Sequence, residues 1–170
     1  KKDKEVEQRK YLEKLKMDNI KVDLALKNTK ILIGKSKNKP YLPELYVRLA
    51  ELNIEKSRIV YFIRKESGDS NDSSLNQLES NMLKNRALEI YQRILNHFPD
   101  YEQNDKVHFF MAHEYRELGN SEGMIKHYRI IINSYKKSAY VAESYLLLGD
   151  YFIHEQDLEL AIRHYTAVLA

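Results

Sequence analysis

The six histidines are the side chains of this chain best suited to chemistry, and their spacing argues against a metal site or a catalytic base. His108 and His113 are five positions apart, whereas two ligands on one helical face are four apart. The segment that begins at His113 reads His-Glu-Tyr-Arg-Glu, so it lacks the second histidine of a zinc-binding His-Glu-x-x-His motif. His154 and His164 fall in two different predicted helices. We therefore expect surface or groove histidines, with no bound metal and no cofactor.

The other side chains that could support catalysis are missing or isolated. The chain has no cysteine, which excludes a thiol nucleophile, a disulfide framework and a cysteine-ligated zinc ion. Its five glycines are scattered, so no phosphate-binding loop is present. Paired carboxylates occur, as they do on any charged helical surface, but no nucleophile lies beside a plausible base. The sequence therefore predicts a protein that is not an enzyme.

Composition indicates which kind of fold positions these side chains. The 170 residues include only five glycines and three prolines, and β-branched runs are short, which favours an all-α chain. Hydrophobic residues make up 43% of the sequence, and 13 tyrosines supply many of the large packing groups. No apolar run approaches the roughly 18 residues that would span a bilayer.

A helical hairpin pattern recurs in the second half of the chain. Residues 106–128 read as two short helices joined by a turn at Gly119. Three pairs of matching positions are each 37 residues apart: Ala87 and Met124, Met124 and Ala161, and Ala112 and Gly149. Unrelated amphipathic helices rarely repeat at one interval, although an irregular helical bundle remains the alternative.

The residues at these positions resemble the tetratricopeptide repeat. One copy reads Tyr145-x-x-Leu148-Gly149-x-x-Phe152, then Ala161-x-x-x-Tyr165, which is similar to the large aromatic, Leu-Gly, aromatic and Ala order of that repeat. The period of 37 exceeds the repeat's usual length of about 34, so we expect longer linkers. The resemblance covers about residues 41–168. It implies an all-α fold, an α-solenoid of about three helical hairpins preceded by a long N-terminal helix.

The predicted organisation departs from the period at one place. We expect four segments: a basic N-terminal helix at 1–39, a hairpin with lengthened helices and a loop at 67–74 within 40–100, and hairpins at 101–138 and 139–170. Ala50 precedes Ala87 by 37 residues, where the later repeats need only 12, so 25 residues are extra. We predict helices lengthened by about three turns, forming an antiparallel arm at 59–82. Ser74 and Gln77 resemble a capping box that opens the second helix of that arm. Alternatively, the chain kinks near 80–85 and the extra residues fold back.

The N-terminal helix is predicted to span residues 5–33, with Gly34 as its cap. It carries a near-heptad stripe and a second apolar edge: Leu12, Leu15, Val22, Leu26 and Ile33, then Ile20, Leu24 and Ile31. We expect the stripe to dock on the first repeat or on a partner helix. Residues 1–40 have a net charge of +7 and the remaining 130 have −4. The lysines are expected to form a solvated face, with acidic lipid or nucleic acid as the alternative contact.

Two segments suggest a subclass within the superfamily. The run from Ala87 to Asp100 is similar to bacterial envelope repeat proteins of the outer-membrane assembly lipoprotein and TolA-binding classes. Residues 40–57 resemble the opening of tetratricopeptide proteins from predatory or gliding bacteria. These resemblances imply a periplasmic or outer-membrane scaffold, with the cytoplasm as the alternative. We expect a further unit or capping helix after Ala170, and the sequence is compatible with a signal peptide or lipid anchor that has been removed.

The resemblance also implies a binding face on the inner side of the first helices. Its positions are occupied by Glu44, Val47, Glu51, Lys106, Phe109, His113, Arg116, Glu143, Leu146, Asp150, Ile153 and His154. Acidic and apolar residues dominate, unlike the Lys, Asn and Arg of repeats that clamp a peptide carboxylate. We therefore expect another protein's peptide or helix as the partner. Two alternatives stay open: self-association through the arm or the first helix, and contact of residues 1–40 with an acidic membrane or nucleic acid.

Overall fold

The computed structural model describes residues 2–67 and 73–169, with side chains at 4–67 and 77–169. Seven helices and no strands occur in these ranges, which confirms the all-α prediction. They are α1 (Lys2–Lys35), α2 (Leu42–Ser67), α3 (Ser73–His97), α4 (Asn104–Glu117), α5 (Ser121–Ser134), α6 (Val141–His154) and α7 (Leu158–Ala167). Most of the predicted loop at 67–74 and the side chain of Ser74 in the predicted capping box lie outside the described residues.

The chain divides into two compact units. Unit 1 covers residues 1–97 and contains α1, α2 and α3, and unit 2 covers residues 98–170 and contains α4 to α7. The regular hairpins predicted at 101–138 and 139–170 are the α4–α5 and α6–α7 pairs of unit 2.

The turns of the two hairpins in unit 2 repeat each other at the 37-residue period. Gly119 and Gln156 occupy equivalent positions, and both adopt a left-handed backbone with φ of 73° and 62°. The next residue in each turn, Asn120 or Asp157, accepts a hydrogen bond from a backbone N–H three positions later, at 2.8 and 3.0 Å. These side chains cap the second helix of each hairpin. The 37-residue period of the sequence therefore corresponds to a turn of the same geometry in each hairpin.

Exchanging the left-handed residues of the two turns should move stability in opposite directions. Gln156→Gly is expected to stabilise the protein by about 1 kcal/mol, because a left-handed backbone costs an L-residue about that much and glycine nothing. Gly119→Gln should cost a similar amount for the same reason. Urea unfolding followed by circular dichroism measures both, and a shift of both variants in one direction would contradict the equivalence of the turns.

The linkers that precede the first helix of each hairpin also repeat their backbone hydrogen bonds. Each linker of unit 2 has the same two backbone bonds, N–H to carbonyl: Tyr101 to Phe98 and Asn104 to Tyr101, then Ser138 to Tyr135 and Val141 to Ser138. In unit 1, Lys39 donates to Ser36 and Leu42 donates to Lys39 in the same pattern. Leu42 and Asn104 are 62 positions apart, 25 more than the period. The extra residues therefore lie within the α2–α3 hairpin and not in its linker.

Small residues lie where the helices of unit 2 touch. Ala112 and Ala161 are completely buried in a shared core with Tyr128. A Cβ atom added at Gly149 would lie 2.5 Å from a ring carbon of Tyr165, so this ring rests directly on the α6 backbone. Gly149 has no side chain, and the Tyr165 ring fills the space that a side chain would occupy. This packing explains why small residues recur at these positions of the 37-residue period.

The first hairpin is lengthened, as predicted. α2 has 26 residues and α3 has 25, against 14 in each of α4, α5 and α6. Arg64 near the end of α2 donates to Glu79 near the start of α3 at 2.6 Å, so the two helices stay paired along the added turns. Since α3 is one continuous helix, the alternative of a fold-back near 80–85 is wrong.

The lengthened part of α2 does not form a two-helix arm, which corrects the prediction for 59–82. α1 has 34 residues and runs antiparallel to α2, because Gln8 donates to Glu66 at 3.0 Å while Asp23 pairs with Lys56 further along. The added turns of α2 give the apolar stripe of α1 a surface to cover. In unit 1, α1 and α3 therefore each pack against α2.

The predicted docking of the α1 stripe on the first hairpin is confirmed. Val22 and Leu26 pack in one core cluster with Leu49, Leu52 and Ile59 of α2. The prediction that Gly34 caps α1 is wrong. Gly34 lies inside the helix, which continues to Lys35, and it lacks the positive φ of a capping glycine.

Candidate functional site

α6 presents one packed face and one exposed face. Its packed face contains Ser144, Leu148, Gly149 and Phe152, all buried. The exposed face contains Glu143, Leu146, Asp150 and Ile153, at the three- and four-residue spacing of one helical side. The side chains of Leu146 and Ile153 remain 44% and 47% exposed. The four predicted binding residues on this helix face therefore point into solvent together, and we call them the α6 face.

A pocket of about 300 Å³ adjoins the α6 face. The end of α4, the start of α5 and the middle of α6 supply its lining: Arg116, Ser121, Met124, Leu147, Asp150, Tyr151 and His154. Three predicted binding residues, Arg116, Asp150 and His154, thus meet at one place. A guanidinium, a carboxylate and an imidazole lie around apolar side chains, which is a common composition of recognition pockets.

Contacts from the last hairpin orient the carboxylate in this pocket. The hydroxyl of Tyr165 donates to Asp150 Oδ1 at 2.7 Å, and this hydrogen bond to a carboxylate raises the pKa of Tyr165. Because the Tyr165 ring is seated on Gly149, the phenol holds Asp150 at the pocket from the α7 side. His154 Nδ1 lies 3.5 Å from a carboxylate oxygen of Glu155.

Two predicted binding residues are core residues, and for them the prediction is wrong. Val47 is 5% exposed and Phe109 is 9% exposed. The Phe109 ring stacks on Tyr140 with 4.6 Å between centroids and packs in the core of unit 2. The two side chains stabilise their units and are not accessible to a partner. Leu146, one period after Phe109, is 44% exposed, so Phe109 is buried because Tyr140 at the start of the next hairpin covers it.

The remaining predicted residues lie on α2 and α4, and most contact a neighbour on their own helix. These contacts are Glu51 with Arg48 at 3.8 Å, His113 with Glu114 at 3.5 Å, and Lys106 Nζ at 5.2 Å from the Phe110 ring centroid. Glu44 is exposed in the first turn of α2. Their roles in binding stay predictions.

A buried histidine pair joins α4 to α5, so the prediction of surface or groove histidines is wrong for His108 and His127. The Nδ1 atoms of His108 and His127 are 2.8 Å apart, so one ring donates its N–H to the other. The pKa of each ring is lowered to about 4, and burial is the main cause. Both rings are therefore neutral at neutral pH. They contribute to the packing between the two helices, where a charge would be costly.

The 37-residue period contained a signal for this pair. His127 and His164 are one period apart, and His108 is one period before Tyr145. In the second hairpin the rings of Tyr145 and His164 are also neighbours, with 6.2 Å between centroids. Comparing the ring positions of the two copies would have paired His108 with His127.

The described residues contain neither a metal-binding cluster nor a membrane-spanning helix. Residues 2–67 and 73–169 contain no group of three or more His, Asp or Glu side chains arranged to hold a metal ion. Within the same ranges, none of the helices combines the length and the apolar character needed to cross a membrane.

The chain was compared with protein families, curated proteins and solved structures. No protein-family model matches the chain, and no curated protein matches it. Among solved structures, the crystal structure of MamA is similar, with a TM-score of 0.46 and 15% sequence identity. The similarity covers 87% of this chain and 86% of that chain, and at this level it carries no functional inference. The fold assignment rests on the chain's own helices: two regular helical hairpins in unit 2, and a lengthened hairpin in unit 1.

Proposed function

We propose that this protein is a non-enzymatic scaffold that binds a peptide or helix of another protein through the α6 face and the adjoining pocket. One observation carries the proposal. Leu146 and Ile153 remain nearly half exposed on a helix whose opposite face is fully packed. Two such side chains beside a pocket are typical of a surface that a partner covers.

The spacing of these residues suits a helical or extended partner. Leu146 and Ile153 are seven residues apart, which places them about 10.5 Å apart along the helix axis. Two apolar anchors two turns apart on a partner helix match this distance, as do residues three apart in an extended peptide. The pocket has room for one large side chain of the partner.

Charge on the surface defines the partner further. Glu143 and Asp150 give the α6 face two carboxylates, while Arg116 contributes one cation at the pocket. A partner segment with Lys or Arg beside its apolar anchors would complement the carboxylates. An acidic side chain or a backbone carbonyl would complement Arg116.

We place this scaffold in a bacterial envelope or motility complex, in the periplasm or at the outer membrane. The similarity of residues 87–100 to envelope repeat proteins supports this placement. Fractionation of cells that produce the tagged full-length protein tests it. Recovery in the periplasmic or outer-membrane fraction is expected, and recovery in the cytoplasm alone would exclude it.

Removing the apolar anchors of α6 should weaken partner binding by at least about tenfold, since two half-exposed aliphatic side chains contribute about 2 kcal/mol when covered. Peptides selected from a randomised display library on the full chain serve as probes. Their affinity for the Leu146→Gln/Ile153→Gln variant is measured by fluorescence anisotropy.

A matched control is available on α7. Leu158 and Ile162 are each 61% exposed and lie outside the α6 face, so Leu158→Gln/Ile162→Gln should leave the affinity unchanged. Equal loss in both variants, or a library that yields no binding peptide, would refute the proposal.

A further inference from the structure

We propose that the outer side of α1 is a second docking surface, which binds an amphipathic helix of another protein whose apolar stripe is flanked by acidic side chains. The surface lies in unit 1 and does not depend on the α6 face. Its apolar residues, which we call the outer stripe, are Val6, Met17, Ile20, Leu24 and Ile31. Their side chains are 48% to 60% exposed.

The outer stripe is separate from the stripe that docks on α2. Leu15, Val22 and Leu26 are buried on the inward side. At about 100° per residue, Leu24 lies about 160° to 200° around the helix from Val22 and Leu26. α1 is therefore apolar on two opposite sides, and α2 covers only one of them. A helix that only packs on the surface of its own unit needs one apolar side, with polar residues opposite.

The spacing of the outer stripe is that of a seam between two helices. Met17, Ile20, Leu24 and Ile31 follow steps of three, four and seven residues, which are the a and d positions of a heptad. Such a seam is narrow, about 60° of the helix surface. A helix that lies in a membrane interface exposes a broader apolar face. The width and spacing favour a partner helix over a lipid surface.

Charges beside the seam define the partner. Lysines lie on both sides of it, Lys14 and Lys21 on one and Lys16 and Lys30 on the other, and Lys27 occupies the d position between Leu24 and Ile31. Of these five, Lys21 alone pairs with a carboxylate among the described residues, namely Asp18 at 3.0 Å. Two acids lie at the seam: Glu13 within it is paired with Arg9 at 3.5 Å, and Asp23 on its flank is paired with Lys56 of α2. Glutamates or aspartates at the flanking positions of a partner helix would neutralise this surface.

A second copy of this chain fits the surface poorly. In a parallel pairing of two α1 helices, flanking residues five positions apart face each other. Lys16 would then face Lys21, and Lys30 would face Lys35. Such pairs of like charge oppose self-association, so the geometry points to a different, acidic chain.

The test uses a synthetic helical peptide of about four heptads, with Leu and Ile at its seam positions and Glu at its flanks. A matched peptide carries Lys in place of Glu. Binding of each labelled peptide to the full chain is measured by fluorescence anisotropy. The Glu peptide is expected to bind, and the Lys peptide to bind at least about tenfold more weakly.

Variants localise the binding. Ile20→Gln/Leu24→Gln is expected to weaken the Glu peptide by at least about tenfold, whereas the equally exposed control Leu158→Gln/Ile162→Gln should have no effect. Lys16→Glu/Lys30→Glu, which alters only exposed side chains, should narrow the preference between the two peptides, because three of the five lysines remain.

Several results would overturn the proposal. These are failure of the Glu peptide to bind, equal binding of both peptides, and full binding by the Ile20→Gln/Leu24→Gln variant. Co-sedimentation with phosphatidylserine vesicles that depends on Ile20 and Leu24, without peptide binding, would identify a membrane surface instead. A dimer in sedimentation velocity that this variant dissociates would identify a second copy as the occupant.

Discussion

Replacing Ala112 by arginine is expected to abolish the cooperative unfolding transition of unit 2. Ala112 is 0% exposed and belongs to the same core as Met124, Tyr128 and Leu148. A longer side chain there costs about 1–3 kcal/mol through overpacking, and its buried guanidinium adds several more. The sum, more than about 5 kcal/mol, is comparable with the whole stability of a small domain.

The same substitution at an exposed alanine provides the control. Ala142 lies on the exposed side of α6, so Ala142→Arg should change the free energy of unfolding by less than about 0.5 kcal/mol. Ala161→Arg should resemble Ala112→Arg, since Ala161 is the equivalent small residue of the last hairpin. Urea titration followed by circular dichroism compares the three variants. A cooperative Ala112→Arg protein of normal stability would contradict the helix contact assigned to this residue.

Acidification is expected to destabilise the protein between pH 6.5 and pH 4 through the buried pair of His108 and His127. Burial lowers the folded-state pKa of both rings to about 4, whereas the unfolded chain titrates near 6.5. In this window the unfolded state binds more protons than the folded state, so stability falls as the pH falls. Below pH 4 both states are protonated and the loss levels off. Each pKa unit corresponds to about 1.4 kcal/mol, which predicts a loss on the order of 3 kcal/mol by pH 5.

Neighbouring charges modify this effect but do not reverse it. Lys126 lowers the pKa of both rings, while Asp105 raises that of His108. In the His108→Leu/His127→Leu variant, the pH dependence of unfolding between 6.5 and 4 should largely disappear. The His154→Gln control removes an exposed ring and should keep it. Denaturant unfolding at a series of pH values provides the comparison, and a steep dependence in the leucine variant would contradict the assignment.

The repeat was readable from the sequence because its turns are encoded locally. Gly119, Asn120 and Asp157 are turn and cap residues, and they recur with the packing residues Ala112 and Gly149 at one interval. The same 37-residue interval showed that the first hairpin contains 25 extra residues. The interval did not show what those residues contact. The position of α1 beside α2 depends on contacts between residues far apart in the sequence, such as Gln8 and Glu66.

The sequence predicted only part of the candidate site, because the site also depends on contacts between helices. Repeat alignment places residues along each helix but does not show which of them a neighbouring hairpin covers. Leu146 and Ile153 are exposed, whereas Phe109, one period before Leu146, is covered by Tyr140 at the start of the next hairpin. The pocket at Arg116 and the histidine pair both join residues from different helices, and periodicity within one helix carries no information about them.

The most direct test of the proposed function is a map of where a selected peptide touches the protein. In the full chain labelled at Leu and Ile methyl groups, intermolecular nuclear Overhauser effects to the bound peptide report its contacts. We predict contacts at the methyl groups of Leu146 and Ile153, and none at Leu158 and Ile162. Contacts at Leu158 and Ile162 with none at Leu146 and Ile153 would contradict binding through the α6 face.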